Sequence, residues 1–169
     1  MNSDEKIYPK ILQKIGRAKS ILDIGYARGE FATFMALKLK KKIVGLDISD
    51  SGFAKAKRKA LREKIPQLIE CIKGDAHKMK FVNREFEAVT LLYTLHHLKH
   101  PKIALKEIKR VLKPNGKFLV VECIAERKEV KNPCCKFTIK KIQTMLKETG
   151  FKNLSVELIK DIALIVGIK

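Results

Sequence analysis

Apolar residues along the chain fall into two rhythms, short continuous runs and longer stretches recurring every three or four positions. Ile7, Ile11, Leu12 and Ile15 share one helical face and predict an amphipathic helix over 7–18. A strand follows at Ser20–Ile24, then a helix near Glu30–Lys40 that buries Phe31, Phe34, Met35 and Leu39. Lys42–Leu46 reads as a second strand. Ser49, Asp50 and Ser51 offer N-cap oxygens to a helix that must end before Pro66, because proline disfavours helical backbone at the residue before it. Leu68–Lys73 and Phe86–Leu92 give strands three and four. Pro101 suits the first turn of a helix that points Ile103, Leu105, Ile108, Val111 and Leu112 inward. Pro114-Asn115-Gly116 turns the chain into a fifth strand at Lys117–Cys123. Thr138 caps a helix to Thr149, Gly150 stops it, and Asn153–Ile159 and Ile162–Ile168 form a hairpin around Lys160-Asp161. Strands alternating with helices predict an α/β sheet covered on both faces.

Ligands of such sheets sit at the carboxyl ends of the strands, so those ends are where chemistry is sought. Strand one runs into Gly25-Tyr26-Ala27-Arg28-Gly29-Glu30. Without side chains at Gly25 and Gly29, and with only a methyl at Ala27, the backbone can approach a ligand closely. A dinucleotide frame, G-x-G-x-x-G, would place Glu30 in its final position, beside a pyrophosphate that its carboxylate would repel. The other frame, acidic-apolar-Gly-x-small-x-Gly, resembles motif I of the class I S-adenosylmethionine-dependent methyltransferases, with Ala27 where glycine is usual. Strand two ends at Asp47, eighteen residues after Gly29, where a carboxylate can accept from both hydroxyls of a ribose. Strand three ends at Gly74-Asp75-Ala76, where Asp75 can accept from an adenine amino group while the Ala76 amide donates to the ring. Strand four ends at Tyr93-Thr94-Leu95-His96-His97-Leu98.

Over about residues 18–169 the chain resembles the small methyltransferase domain group that includes the ubiquinone-biosynthesis C-methyltransferases. The resemblance rests on Leu22-Asp23-Ile24-Gly25, Val44-Gly45-Leu46-Asp47, Gly74-Asp75-Ala76, Leu95-His96-His97-Leu98, Arg110-Val-Leu-Lys-Pro-Asn-Gly116 and the late Gly150-Phe151. It implies a Rossmann-like, doubly wound seven-stranded sheet of order 3-2-1-4-5-7-6, with strand 7 antiparallel. It further implies S-adenosylmethionine as cofactor, held by Asp23, Gly25, Tyr26, Ala27, Gly29, Asp47, Ile48, Gly74, Asp75, Ala76 and Tyr93. Within that set Asp47 would bind ribose, Ile48 would pack on adenine, Asp75 and Ala76 would read the base, and Asp23 with the Gly25 carbonyl would hold the methionine amino group.

Methyl transfer from an activated sulfonium asks mainly for alignment. The Tyr93 ring can favour the cationic sulfur, and His96 is the candidate general base for a hydroxyl, thiol or acidic carbon, with His97 second to it. Strand four lacks the Asn/Asp-Pro-Pro-aromatic pattern of nucleobase amino methylation and the Lys-Asp-Lys-Glu arrangement of ribose methylation. Pro133-Cys134 is misplaced for a cytosine C5 nucleophile. The expected acceptor is therefore a small molecule, met by a pocket built from residues 1–20, the Tyr93–His97 turn and Ile124–Phe137. An RNA or other nucleic-acid methyltransferase and a non-catalytic S-adenosylmethionine-binding protein are the alternatives.

The net charge of +19 over 169 residues invites a nucleic-acid reading, but the excess is spread as +8 over 1–60, +7 over 61–120 and +4 over 121–169. It also comes from 30 lysines against 7 arginines, whereas base and phosphate recognition leans on arginine forks. The start of the chain has no apolar signal core, and Ile162–Ile168 is too short to span a bilayer, so a cytoplasmic protein is expected. Cys71 and Cys123 read as small strand residues, and Cys134 and Cys135 as packing or a thiol pair. No metal spacing emerges around them or around His77 and His100. Without repeat or linker, residues 1–169 form one expected domain: helix and arm 1–18, cofactor core 19–123, acceptor cover with last helix and hairpin 124–169.

Overall fold

The computed structural model describes residues 3–124 and 137–169. Seven strands form one sheet of order β3-β2-β1-β4-β5-β7-β6. In chain order they are β1 (Ile21–Ile24), β2 (Ile43–Asp47), β3 (Ile69–Lys73), β4 (Phe86–Leu92), β5 (Leu112–Cys123), β6 (Lys152–Ile159) and β7 (Ile162–Ile168). The first five run parallel, and β7 inserts antiparallel between β5 and β6. Both the order and the inverted strand agree with the expectation drawn from the resemblance.

The period of two along the strands sorts the core into two layers. Phe118 and Val120 face one side, packing with Leu22, Ile24 and Leu91 against α4 (Pro101–Val111) and α5 (Ile139–Glu148). Leu119 and Val121 face the other, where α1 (Ser3–Ile15), α2 (Glu30–Leu39) and α3 (Phe53–Arg62) cover the sheet. On α1, Ile7, Ile11 and Ile15 recur every four residues and are fully buried. Among the described residues no helix is long and apolar enough to cross a membrane.

Several local expectations change. The first helix spans Ser3–Ile15 and stops at Gly16, whose φ of 63° takes the chain out of the right-handed helical region. The N-cap of α3 is Gly52 and receives no side-chain cap; Ser49 instead accepts from the Ser51 amide at 3.2 Å. Close approach of the Ala27 carbonyl to Gly52 leaves no room there for a Cβ. Ile103 is exposed on α4, since Ala104, Leu105, Ile108 and Val111 already fill the buried face. Pro114-Asn115-Gly116 lies within β5, which pairs from Leu112 onward through an irregularity in the register with β4. Thr138 does cap α5, accepting from the Lys141 amide at 3.2 Å.

Arg110, on α4, ties that helix to the segment before β4. Its guanidinium donates to the carbonyls of Met79 and Phe81, to Asn83 and to both oxygens of Glu107, which itself accepts from the Met79 amide. These contacts bind the chain before β4 to α4.

Candidate functional site

Parallel pairing brings the carboxyl ends of β3, β2, β1 and β4 side by side in that order, so residues from distant parts of the chain meet on one edge. The loop after β1 is built on a sharp reversal. Gly25, Ala27 and Gly29 all have left-handed backbone, with φ of 77°, 47° and 69°. For Ala27 this conformation costs about 1 kcal/mol relative to glycine, which explains why glycine is usual there. A Cβ on Gly25 would collide with the side chain of Thr94, so the loop and the turn after β4 fit together only without one.

Asp47 fastens the loop. One carboxylate oxygen accepts from the Ala27 amide at 2.8 Å and the other from the Ser49 amide at 2.9 Å. A shallow cavity of about 390 Å³ opens beside it, lined by Ala27, Arg28, Asp47, Ser49, Gly52 and Lys55. Ile48, next to Asp47 in the chain, is exposed. Tyr26 turns its ring inward, where it packs over Gly45 and takes a contact from the Cys71 thiol at 3.4 Å. Burial and that contact push the Tyr26 hydroxyl well above its ordinary range. The side chain supports the loop from below, and only the Tyr26 backbone can meet a ligand.

Asp23 is buried under the same loop and accepts from the Thr90 hydroxyl at 2.7 Å. Burial pushes its pKa up to about 7, Thr90 opposes that shift, and the charge of Asp47 adds to it. Asp75 follows β3 on the exposed side of the edge. One of its oxygens accepts from the His77 amide at 2.9 Å and lies 2.6 Å from His77 Nδ1, and these two contacts hold its carboxyl below the usual range. His77 Nε2 in turn accepts from the His100 amide at 3.3 Å. Gly74 packs beside Leu46, and the neighbouring Ala76 is nearly buried.

Beyond β4, Tyr93 has a left-handed φ of 49° and its amide donates to the Val121 carbonyl at 2.8 Å. A 3-10 turn at Leu95–His97 follows, and His96 is buried within it. His96 Nδ1 lies 2.7 Å from Oε2 of Glu122, a carboxylate that sequence reasoning passed over inside the apolar run of β5. Glu122 Oε1 accepts from the amides of Leu95 and His96 at 2.7 and 3.4 Å. Burial raises the Glu122 carboxyl, and His96 opposes the shift. The rings of His96 and His97 stand 4.0 Å apart, with His97 outermost.

The cover expected over this edge is described only at its ends, where Ile124 and Phe137 form a parallel bridge. Cys134 and Cys135 lie outside the described residues. Cys71 is a free, half-buried thiol, whereas Cys123, expected as a plain packing residue, is disulfide-bonded. Among the described residues no group of three metal-ligating side chains converges.

Comparison with known proteins puts this edge in a family. The methyltransferase domain family matches residues 22–120. A ubiquinone/menaquinone biosynthesis C-methyltransferase of Bartonella tribocorum is 31% identical over 104 residues, 60% of this chain and 40% of that protein. The sterol 24-C-methyltransferase of Aspergillus fumigatus is 34% identical over 108 residues, covering 64% of this chain and 29% of its own length. The chain thus spans well under half the length of these relatives. An S-adenosylmethionine-dependent methyltransferase from Aquifex aeolicus superposes with a TM-score of 0.82 at 20% identity, over 95% of this chain and 88% of that one, a likeness of fold. With 99 of its 169 residues inside the family's domain and the expected strand order in place, the chain belongs to the methyltransferase domain family of the class I S-adenosylmethionine-dependent methyltransferases.

Proposed function

We propose that this chain transfers a methyl group from S-adenosylmethionine to a small-molecule acceptor. The observation that carries the reading is the gathering of Asp23, Asp47 and Asp75 on one sheet edge, around a loop that has no room for a side chain at Gly25. These carboxylates and a close-packed backbone suit a cationic nucleoside ligand. When bound, that cofactor supplies a methyl group already activated on sulfur.

In this reading Asp47, with both oxygens oriented by loop amides, binds the ribose diol. Asp75, oriented by His77, and the Ala76 amide read the base, while Ile48 covers it. Asp23 and the Gly25 carbonyl take the amino group, and Gly29 and Gly74 keep the walls thin. Tyr93, in the turn after β4, is the aromatic residue assigned to the cationic sulfur, and His96 accepts the acceptor's proton. The carbon acceptors in the names of the quinone and sterol relatives favour a small apolar acceptor.

The test incubates the protein with radiolabelled S-adenosylmethionine and a fractionated cell extract. Label in the small-molecule fraction is expected. Label confined to RNA supports a nucleic-acid methyltransferase, and cofactor binding without any transfer supports a non-catalytic binding protein; either result overturns the proposal.

A further inference from the structure

We propose that Glu122 is a positioning residue that fixes the tautomer of His96, so that Nε2 is the nitrogen that accepts the acceptor's proton. The inference deepens the methyltransferase reading and rests on it for the proton transfer, but the tautomer itself is a property of the chain alone.

Glu122 is 1% exposed in a strand whose neighbours Val120, Val121 and Cys123 are apolar. Burying a carboxylate costs several kcal/mol unless its oxygens are satisfied, and here each oxygen has a defined partner. The amides of Leu95 and His96 both point at Oε1, so Oε1 acts only as an acceptor. A single proton shared by the pair therefore lies on the line between Oε2 and Nδ1. In a neutral imidazole, a hydrogen at Nδ1 makes Nε2 the lone-pair nitrogen.

The same three contacts lock the ring to the backbone turn that carries it. The turn follows Thr94, whose side chain sits against Gly25, so the dyad is tied to the cofactor loop through two residues of chain. The proton leaving an acceptor O–H, S–H or acidic C–H ends on Nε2. The electron pair of that bond forms the new bond to the methyl carbon, and the pair of the broken carbon–sulfur bond stays on sulfur. The imidazolium that results already faces the Glu122 carboxylate, which stabilises it without itself taking the proton.

A purely structural Glu122, needed only to tie the 3-10 turn, predicts a different response to Glu122→Gln. The amide oxygen can keep the bonds from Leu95 and His96, while the amide NH₂ now faces Nδ1 and donates to it, moving the ring hydrogen to Nε2. The experiment is nitrogen-resolved NMR of the histidine rings in the full chain without ligand, followed upward in pH until the ring nitrogens of His96 report a neutral imidazole. Wild type is expected to show His96 with hydrogen on Nδ1, Glu122→Gln the reverse, and Glu122→Asp the wild-type pattern. A wild-type ring with its hydrogen on Nε2, or one tautomer in both wild type and Glu122→Gln, overturns the proposal. The wild-type spectrum alone decides if the variants fail to fold. In the labelled-extract assay Glu122→Gln is expected to slow transfer roughly 100-fold, as for loss of a general base, with S-adenosylhomocysteine affinity unchanged. Loss of that affinity in wild type would refute the methyltransferase reading and leave the tautomer result standing.

Discussion

The two ends of the sheet use their charged groups differently. At the amino ends of the strands, Lys41 donates to the Ala18 carbonyl at 2.8 Å, Lys117 to that of Lys14 at 2.7 Å, and Lys169 to that of Leu112 at 2.5 Å. Lys113 meets Glu87 at 3.0 Å, and a cavity of about 440 Å³ there is lined by Arg17, Glu87, Lys113 and Lys117. These cations end on carbonyls and a carboxylate that belong to the frame, so they join α1 and the loops to the sheet. At the carboxyl ends the buried or oriented groups are Asp23, Asp47, Asp75 and Glu122, and their partners are loop amides, a hydroxyl and histidine rings. A chain of net charge +19 thus orients four of its acids on the edge proposed for the cofactor, beside a cavity that Arg28 and Lys55 also line. Net charge describes the exterior, and only the placement of partners separates a brace from a site.

The sharpest way to break the contrast is one substitution at each end. Asp47→Ala removes two charge-assisted hydrogen bonds to the loop as well as the proposed ribose contact. At about 1.5–3 kcal/mol for such a bond, S-adenosylhomocysteine affinity is expected to fall at least about 100-fold by titration calorimetry. Lys117→Met at the other end is expected to lower the melting temperature by about 2–4 °C and leave that affinity unchanged.

Asp23 gives the next largest effect and a pH signature. Its folded pKa of about 7 lies above the model-peptide value of 3.8, so the folded chain holds more protons between those values. The contribution of Asp23 to the stability of the unliganded protein is therefore full below about pH 4 and is lost as pH rises to about 7, by up to about 4 kcal/mol from this group. A cationic amino group prefers the ionised carboxylate, so cofactor affinity should run the other way, rising toward a plateau above about pH 7 with proton release at pH 6. Asp23→Asn should flatten both profiles, read by thermal melts and by calorimetry in two buffers.

His77→Ala leaves Asp75 without its orienting ring and is expected to weaken cofactor binding about 3- to 10-fold, as for one partly exposed contact. Ala27→Gly relieves a left-handed alanine at the cost of extra unfolded-state freedom, two terms of about 1 kcal/mol and opposite sign. Its effect on affinity should stay within about threefold by the same titration.

What the sequence made legible were features with local causes. β4 and β7 occupy the positions expected, because each is a short, mainly apolar run of strand length bounded by turn residues. Asp47 and Asp75 could be placed on one edge of the sheet because each terminates or follows a strand whose direction the pattern fixes. Features set by distant partners stayed hidden. The inward turn of Tyr26 depends on Gly45 opposite it, and the bare cap of α3 depends on the Ala27 carbonyl. Glu122 reads as a polar interruption of β5 until His96, 26 residues earlier, is seen beside it. The lone signal that could have found it is a carboxylate inside an apolar strand next to the turn with the paired histidines.

The most direct test is calorimetric titration of S-adenosylhomocysteine into wild type and Asp47→Ala side by side. Micromolar binding by wild type, lost in the variant while its fold persists by circular dichroism, is the expected result. No heat from wild type at high micromolar ligand, or equal binding by both proteins, would contradict the assignment of this edge as the cofactor site.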